Sequence, residues 1–138
     1  MSEEILINVT PPETRVAIVE NGVIQEIIIE RTRQLGLVGN IYKGVVCRVL
    51  PGMQAAFIEI GLDRAAFLHL SDLPTKELHR KGSENIEDYL TENQHIIVQV
   101  AKDPISSKGA RLTAELSIPS RYQVYMPETE KGGVSQRI

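Results

Sequence analysis

Strict two-residue alternation and short β-branched runs dominate this chain, and they predict strands almost from end to end. Ile5–Val9 is short, apolar and β-branched, and Pro11-Pro12 stops it. Thr14–Glu20 alternates and predicts a second strand. Asn21-Gly22 follows, a two-residue hairpin signal in which both positions favour positive φ. Val23–Glu30 is then the returning strand. A meander of about 30 residues buries too little area to be stable alone, so it is expected to need a partner sheet. After a break at Gly36–Gly39, five more stretches carry strand patterns: Ile41–Val49, Met53–Ile60, Arg64–Leu68, His95–Ala101 and Ala110–Leu116. Their spacing predicts a small five-stranded barrel. Between the third and fourth, a helix is predicted over Glu84–Leu90, capped by Ser83, with Glu84, Glu87 and Asp88 near its positive end. Arg121–Met126 predicts a last strand, after which the chain is expected to stop inside a further element.

Length and composition narrow the class. At 138 residues the chain is one ordinary domain, or a small domain with part of a second. It has no apolar run long enough to span a membrane, and its acidic start, Met1-Ser2-Glu3-Glu4, is unlike a signal peptide. Cys47 is the single cysteine, which excludes an internal disulfide and a four-cysteine metal site. A cytoplasmic location is expected. The net charge of −3 does not by itself announce a nucleic-acid partner. Residues 1–35 hold three basic and six acidic residues, however, so the acidity lies at the front and the middle of the chain is nearly neutral.

Candidate chemistry concentrates on the barrel strands. Phe57, in Ala55-Ala56-Phe57-Ile58, and Phe67, in Ala65-Ala66-Phe67-Leu68, fall on adjacent predicted strands with small neighbours. Rings left bare in this way form platforms on which bases stack without sequence preference. The alternative is that both rings fill the barrel. Lys102, Lys108 and Arg111 flank the turn Asp103–Ser107 and would hold phosphates while bases stack; the alternative is a solvated hairpin tip. His69 is a candidate for stacking or hydrogen bonding at an RNA surface, or an ordinary surface histidine, and lacks companions at metal-ligand spacing. Glu59 and Asp63 could share a cation but read better as surface. No nucleophile elbow, HExxH or Cys–His pairing occurs, and no active site is found in these residues.

Two longer patterns go further. Lys43-Gly44-Val45, Ala56–Gly61 and Phe67–Asp72 resemble the S1 RNA-binding domain, a five-stranded OB barrel. With Asn8-Val9-Thr10, Gly39–Gly44, Leu50–Phe57, Lys108–Thr113 and Gly132–Ile138, the whole chain resembles the N-terminal part of the ribonuclease E/G family. His69 and the Gln136-Arg137 pair point to its ribonuclease G branch.

The resemblance implies a mainly β fold: an S1/OB barrel over 36–116 inserted into an incomplete RNase H-like subdomain. Residues 1–35 would be its first part, and 117–138 the truncated start of its second. It implies single-stranded RNA as partner, with Phe57, Phe67, Lys108 and Lys102 at family RNA-binding positions. Val124 would line a pocket that senses a 5′-monophosphate, whose remaining residues lie beyond Ile138. The parent would be a homo-oligomeric endoribonuclease of rRNA processing and mRNA decay. Its catalytic Mg²⁺ and inter-subunit Zn²⁺ would sit outside this stretch, leaving these residues inactive and without a cofactor. Two rivals stand beside this reading. In one, the barrel serves protein–protein contact between subunits; in the other, the chain is a free-standing S1 protein of translation, which leaves residues 1–35 and 117–138 unexplained.

Overall fold

In the computed structural model, which describes residues 2–128 and 133–136, Asn21 and Gly22 take φ values of 50° and 79°. These left-handed conformations suit a two-residue hairpin whose twist matches its strands. They join β2 (Glu13–Glu20) to β3 (Val23–Arg31), and β2 also pairs antiparallel with β1 (Glu3–Thr10), giving the order β1-β2-β3. Each strand runs slightly beyond its predicted ends. Val19 is the only buried residue among the described residues of this unit, Met1–Gly36.

The second unit, Leu37–Ile138, holds a closed barrel in the order β4-β5-β6-β8-β7, built from β4 (Ile41–Leu50), β5 (Ala55–Glu59), β6 (Ala66–His69), β7 (His95–Lys102) and β8 (Arg111–Thr113). All neighbours are antiparallel except β6 and β8, whose parallel pairing closes the ring. Val46, Ala56, Ile58, Ala66, Leu68, Val98, Val100 and Leu112 fill the interior, and Leu73, Ile86, Tyr89 and Leu90 pack against them. Closure demands close backbone approach. A Cβ on Gly109 would lie 2.1 Å from the Ala65 carbonyl oxygen, so only glycine lets the chain enter β8 there. Just beyond, the Phe67 amide donates to the Ala110 carbonyl at 2.8 Å.

Two expectations are corrected. The strand predicted from Met53 begins at Ala55, because Pro51–Met53 form a 3-10 turn that ends in a left-handed Gln54. The helix lies earlier than predicted. It is α1 (Thr75–Lys81), ended by Gly82 in the left-handed region, and its last turn carries His79, Arg80 and Lys81, which suits the negative helix end. Residues 86–88 make only a 3-10 turn. Ile86, Tyr89 and Leu90 are drawn into the core, while the Tyr89 hydroxyl donates to the Ser83 carbonyl and Ser83 Oγ bonds the Asp88 carboxylate. The residue proposed as a cap is thus spent within the loop.

A second, separate three-stranded sheet follows the barrel: β9 (Ile118–Pro119), β10 (Gln123–Tyr125) and β11 (Gly133–Val134), in the order β11-β10-β9. β10 occupies the middle of the stretch predicted as a strand over Arg121–Met126. Gly132, Arg137 and Ile138 of the C-terminal motif lie outside the described residues.

Candidate nucleic-acid interface

Successive strand residues point to opposite faces. With Ala56 and Ile58 turned into the barrel, Phe57 must stand outside it; with Ala66 and Leu68 inside, so must Phe67. Both rings are half-buried and neither belongs to the core. The flanking alanines serve a different purpose from the one read in the sequence. Ala55, Ala56 and Ala66 are fully buried, their small side chains fitting the tight interior, and only Ala65 borders the rings.

The register assembles a row across the barrel surface. Arg48 on β4 faces Phe57 on β5, Phe57 faces Phe67 on β6, Phe67 faces Arg111 on β8, and Arg111 faces Lys102 on β7. The two rings meet edge to face, centroids 6.3 Å apart and planes at 66°, a favoured aromatic geometry. They open onto a cleft of about 730 Å³, bordered also by Met53, Arg64, Lys108 and Arg111. The β7–β8 connection presents Lys108 through a tight turn: Ile105 and Lys108 exchange backbone hydrogen bonds, and Ser106 adopts φ 52°.

The predicted residues thus divide. Phe57, Phe67, Lys108 and Arg111 share the cleft. Lys102 stands in the same row outside its lining. His69 is turned to its own chain: Nδ1 accepts from the Ser71 amide at 3.2 Å and lies 2.8 Å from Ser71 Oγ, bracing the 3-10 turn Leu70–Asp72. Val124 lies in the centre of β10, paired with Pro119 and Gly133, outside the cleft.

Sequence reasoning missed Arg48 and Arg64. Bulges between Val46 and Arg48, and between Val100 and Lys102, shift the register, so plain alternation did not align Arg48 with Phe57. Arg64 was read only as a strand residue, yet it lies in the turn before β6. Together with Lys108 it also borders a second cavity of about 360 Å³, lined by Leu37, Leu62, Asp63 and Pro104 as well. Among the described residues, Arg48, Arg64, Lys102 and Lys108 form no ion pair, whereas Arg111 is paired with Asp72. A face with four uncompensated cations around two rings can attract a polyanion despite the chain's net negative charge.

Metal chemistry finds no such assembly. Glu59, weighed above as a cation ligand with Asp63, accepts from the Gly61 amide at 2.7 Å and so holds its own turn. Among the described residues, no three His, Cys, Asp or Glu side chains gather to hold an ion. No helix among them is long and apolar enough to cross a membrane.

Comparison with known proteins points the same way as the row of rings and cations. Residues 37–103 match the family of the S1 RNA binding domain. Ribonuclease G of Escherichia coli (strain K12) is 54% identical over the whole chain, and the ribonuclease G of Haemophilus influenzae is 51% identical over 98% of it. Ribonuclease E of Escherichia coli (strain K12) is 37% identical over 99% of the chain. The chain spans only 30%, 29% and 13% of these relatives' own lengths.

Proposed function

We propose, on the premise that this chain belongs to the ribonuclease E/G family and stands nearer to ribonuclease G than to ribonuclease E, that it is the part of such an enzyme that holds single-stranded RNA. One observation carries the reading: Phe57 and Phe67 stand side by side outside the barrel, with Lys108, Arg64 and Arg111 around the same cleft. Bases of an unpaired strand stack on the two rings, and the cations take the intervening phosphates. Stacking accepts any base, so the cleft serves to hold and orient rather than to read sequence. Two stacked bases and two or three phosphate contacts give micromolar-class affinity. Such binding falls roughly tenfold between 50 and 200 mM salt.

The finer assignments are part of the same proposal. Residues 1–35 and 117–138 contribute to one RNase H-like subdomain interrupted by the barrel. Val124, on β10, belongs to its 5′-end pocket. The parent is an endoribonuclease of rRNA processing and mRNA decay, working in the cytoplasm as a homo-oligomer, and the 138 residues position RNA for it without cutting.

The decisive experiment is a titration of a short labelled oligouridylate into Phe57→Ala. Binding weakens by about 1–3 kcal/mol while the circular dichroism spectrum is kept. An unchanged midpoint in a folded variant overturns the platform. A second measurement addresses catalysis: incubated with Mg²⁺, the 138-residue chain leaves the labelled RNA intact. Cleavage that survives repurification refutes the holding role.

A further inference from the structure

Arg111 differs from the other cations of the cleft in being held from behind. Its Nε and Nη2 donate to Oδ2 of Asp72, at 3.2 and 3.0 Å. Asp72 is itself firmly placed. Its backbone carbonyl accepts from the Ala114 amide at 2.8 Å and from Thr113 Oγ1 at 3.2 Å, just past Arg111 on β8. The His69–Ser71 contacts brace the turn that carries it. The carboxylate side chain is 22% exposed and the guanidinium side chain 45%, so the anchor is sheltered and the fork is open.

A guanidinium has five N–H donors in a fixed plane. Asp72 occupies the edge formed by Nε and Nη2. The opposite edge, Nη1 with the second Nη2 hydrogen, has no partner among the described residues, and the side chain lines the cleft beside Phe67, its neighbour across the β6–β8 pairing. That edge is the one suited to grip two oxygens of one phosphate.

We propose that Asp72 is a positioning residue for RNA: it fixes the Arg111 fork so that its free edge receives a phosphate of the strand stacked on Phe57 and Phe67. The proposal rests on the RNA reading of the cleft. Its logic is preorganisation. A flexible arginine must be immobilised on binding, and one already held is spared that cost. The sign of the effect separates this from two simpler roles. A carboxylate that merely masks Arg111 or repels phosphate would make RNA bind more tightly once neutralised. A clip that merely joins the Leu70–Asp72 turn to β8 would lower the melting temperature and leave RNA affinity alone.

The test titrates the labelled oligouridylate into the 138-residue chain carrying Asp72→Asn, Arg111→Gln, Arg111→Lys, the double variant Asp72→Asn/Arg111→Gln, and Phe57→Ala, with a thermal melt of each. Asp72→Asn is expected to weaken binding roughly threefold to tenfold although it removes a negative charge, the loss that follows when a charge-assisted contact is no longer preset. In the Arg111→Gln background the same change has no further effect. Arg111→Lys binds more weakly than the unmodified chain, because an ammonium keeps the charge but lacks the fork, and Arg111→Gln, without the charge, binds no better. Asp72→Asn binding as tightly as the unmodified chain, or more tightly, overturns the proposal, and so does an equal loss in both backgrounds. If Asp72→Asn fails to fold, the two arginine variants decide: wild-type binding by Arg111→Lys overturns it. An unchanged Phe57→Ala affinity would instead indict the platform reading beneath it.

Discussion

The meander and the barrel use similar residues to opposite effect. β1 and β3 carry isoleucine, leucine and valine as the barrel strands do, yet Ile5 is 64% exposed and Leu6 55%. These two residues point to opposite faces, and so do Ile28 and Ile29, so both faces of the sheet carry uncovered apolar side chains. In the barrel, Ile58, Leu68 and Leu112 are fully buried. Closure makes the difference. A ring of five strands supplies its own second face, whereas three strands in a row have none to offer.

The largest effect expected from this contrast is on stability. Leu112→Ala leaves a cavity in a fully buried site and should cost about 2–5 kcal/mol in urea denaturation. Ile28→Ala, at a residue half exposed on the meander, should cost about 0.5 kcal/mol or less. Comparable losses for the two would break the comparison, showing that the meander's side chains are held as firmly as the barrel's.

Local chemistry made most of the strands and the β2–β3 turn legible. Asn21-Gly22 announced its hairpin, whereas the sequence left open whether Phe57 and Phe67 face outward or fill the barrel, a choice seen only in the structure. The family resemblance added the barrel's identity. What stayed hidden depends on pairing between distant segments. No local pattern aligns Arg48 with Phe57, because a bulge intervenes. Nothing near Ser83 says that Tyr89 will claim its carbonyl and that Ile86, Tyr89 and Leu90 will be drawn to the core without a helix over 84–90. The Arg111–Asp72 pair joins residues 39 apart. His69 was weighed as an RNA-surface residue or an ordinary surface histidine; its ring nitrogen accepts from the Ser71 amide two residues on.

Gln99 sharpens the comparison at an intermediate scale. It is the buried polar residue of the barrel, at 6% exposure, and its amide closes three hydrogen bonds: Nε2 donates to the Gly39 and Ser117 carbonyls at 3.0 and 2.8 Å, and Oε1 accepts from the Ser117 amide at 2.8 Å. It thus joins the segment before β4 to the segment after β8. In the meander, Thr10 Oγ1 donates to the Glu13 carbonyl and Thr32 Oγ1 to the Pro11 carbonyl, both at strand ends. Gln99→Leu keeps much of the volume but strands the Gly39 and Ser117 groups, and should cost about 1–3 kcal/mol. Urea midpoints read it. A neutral result would mean that water replaces the amide, and that these segments are less tightly tied than the hydrogen bonds indicate.

The smallest effect tests the meander from within. Gly22 sits at φ 79° with open space around its Cα, so alanine there meets no clash and pays only for its backbone conformation. That penalty is about 1 kcal/mol, or a factor of about five in the opening equilibrium of the hairpin. The turn is also tied to the start of β1: the Asn21 amide donates to the Ser2 carbonyl at 2.9 Å, and the Ser2 amide to Asn21 Oδ1 at 3.3 Å. Strain at Gly22 therefore acts on all three strands. With Val19 alone buried, little packing resists it, and amide exchange in β1–β3 of Gly22→Ala should accelerate by about that factor. Amides of β7 and β8, enclosed in the ring, should exchange as before. Unchanged protection in β1–β3 would show that the meander is secured by something stronger than its turn, and the contrast with the barrel would then have to be redrawn.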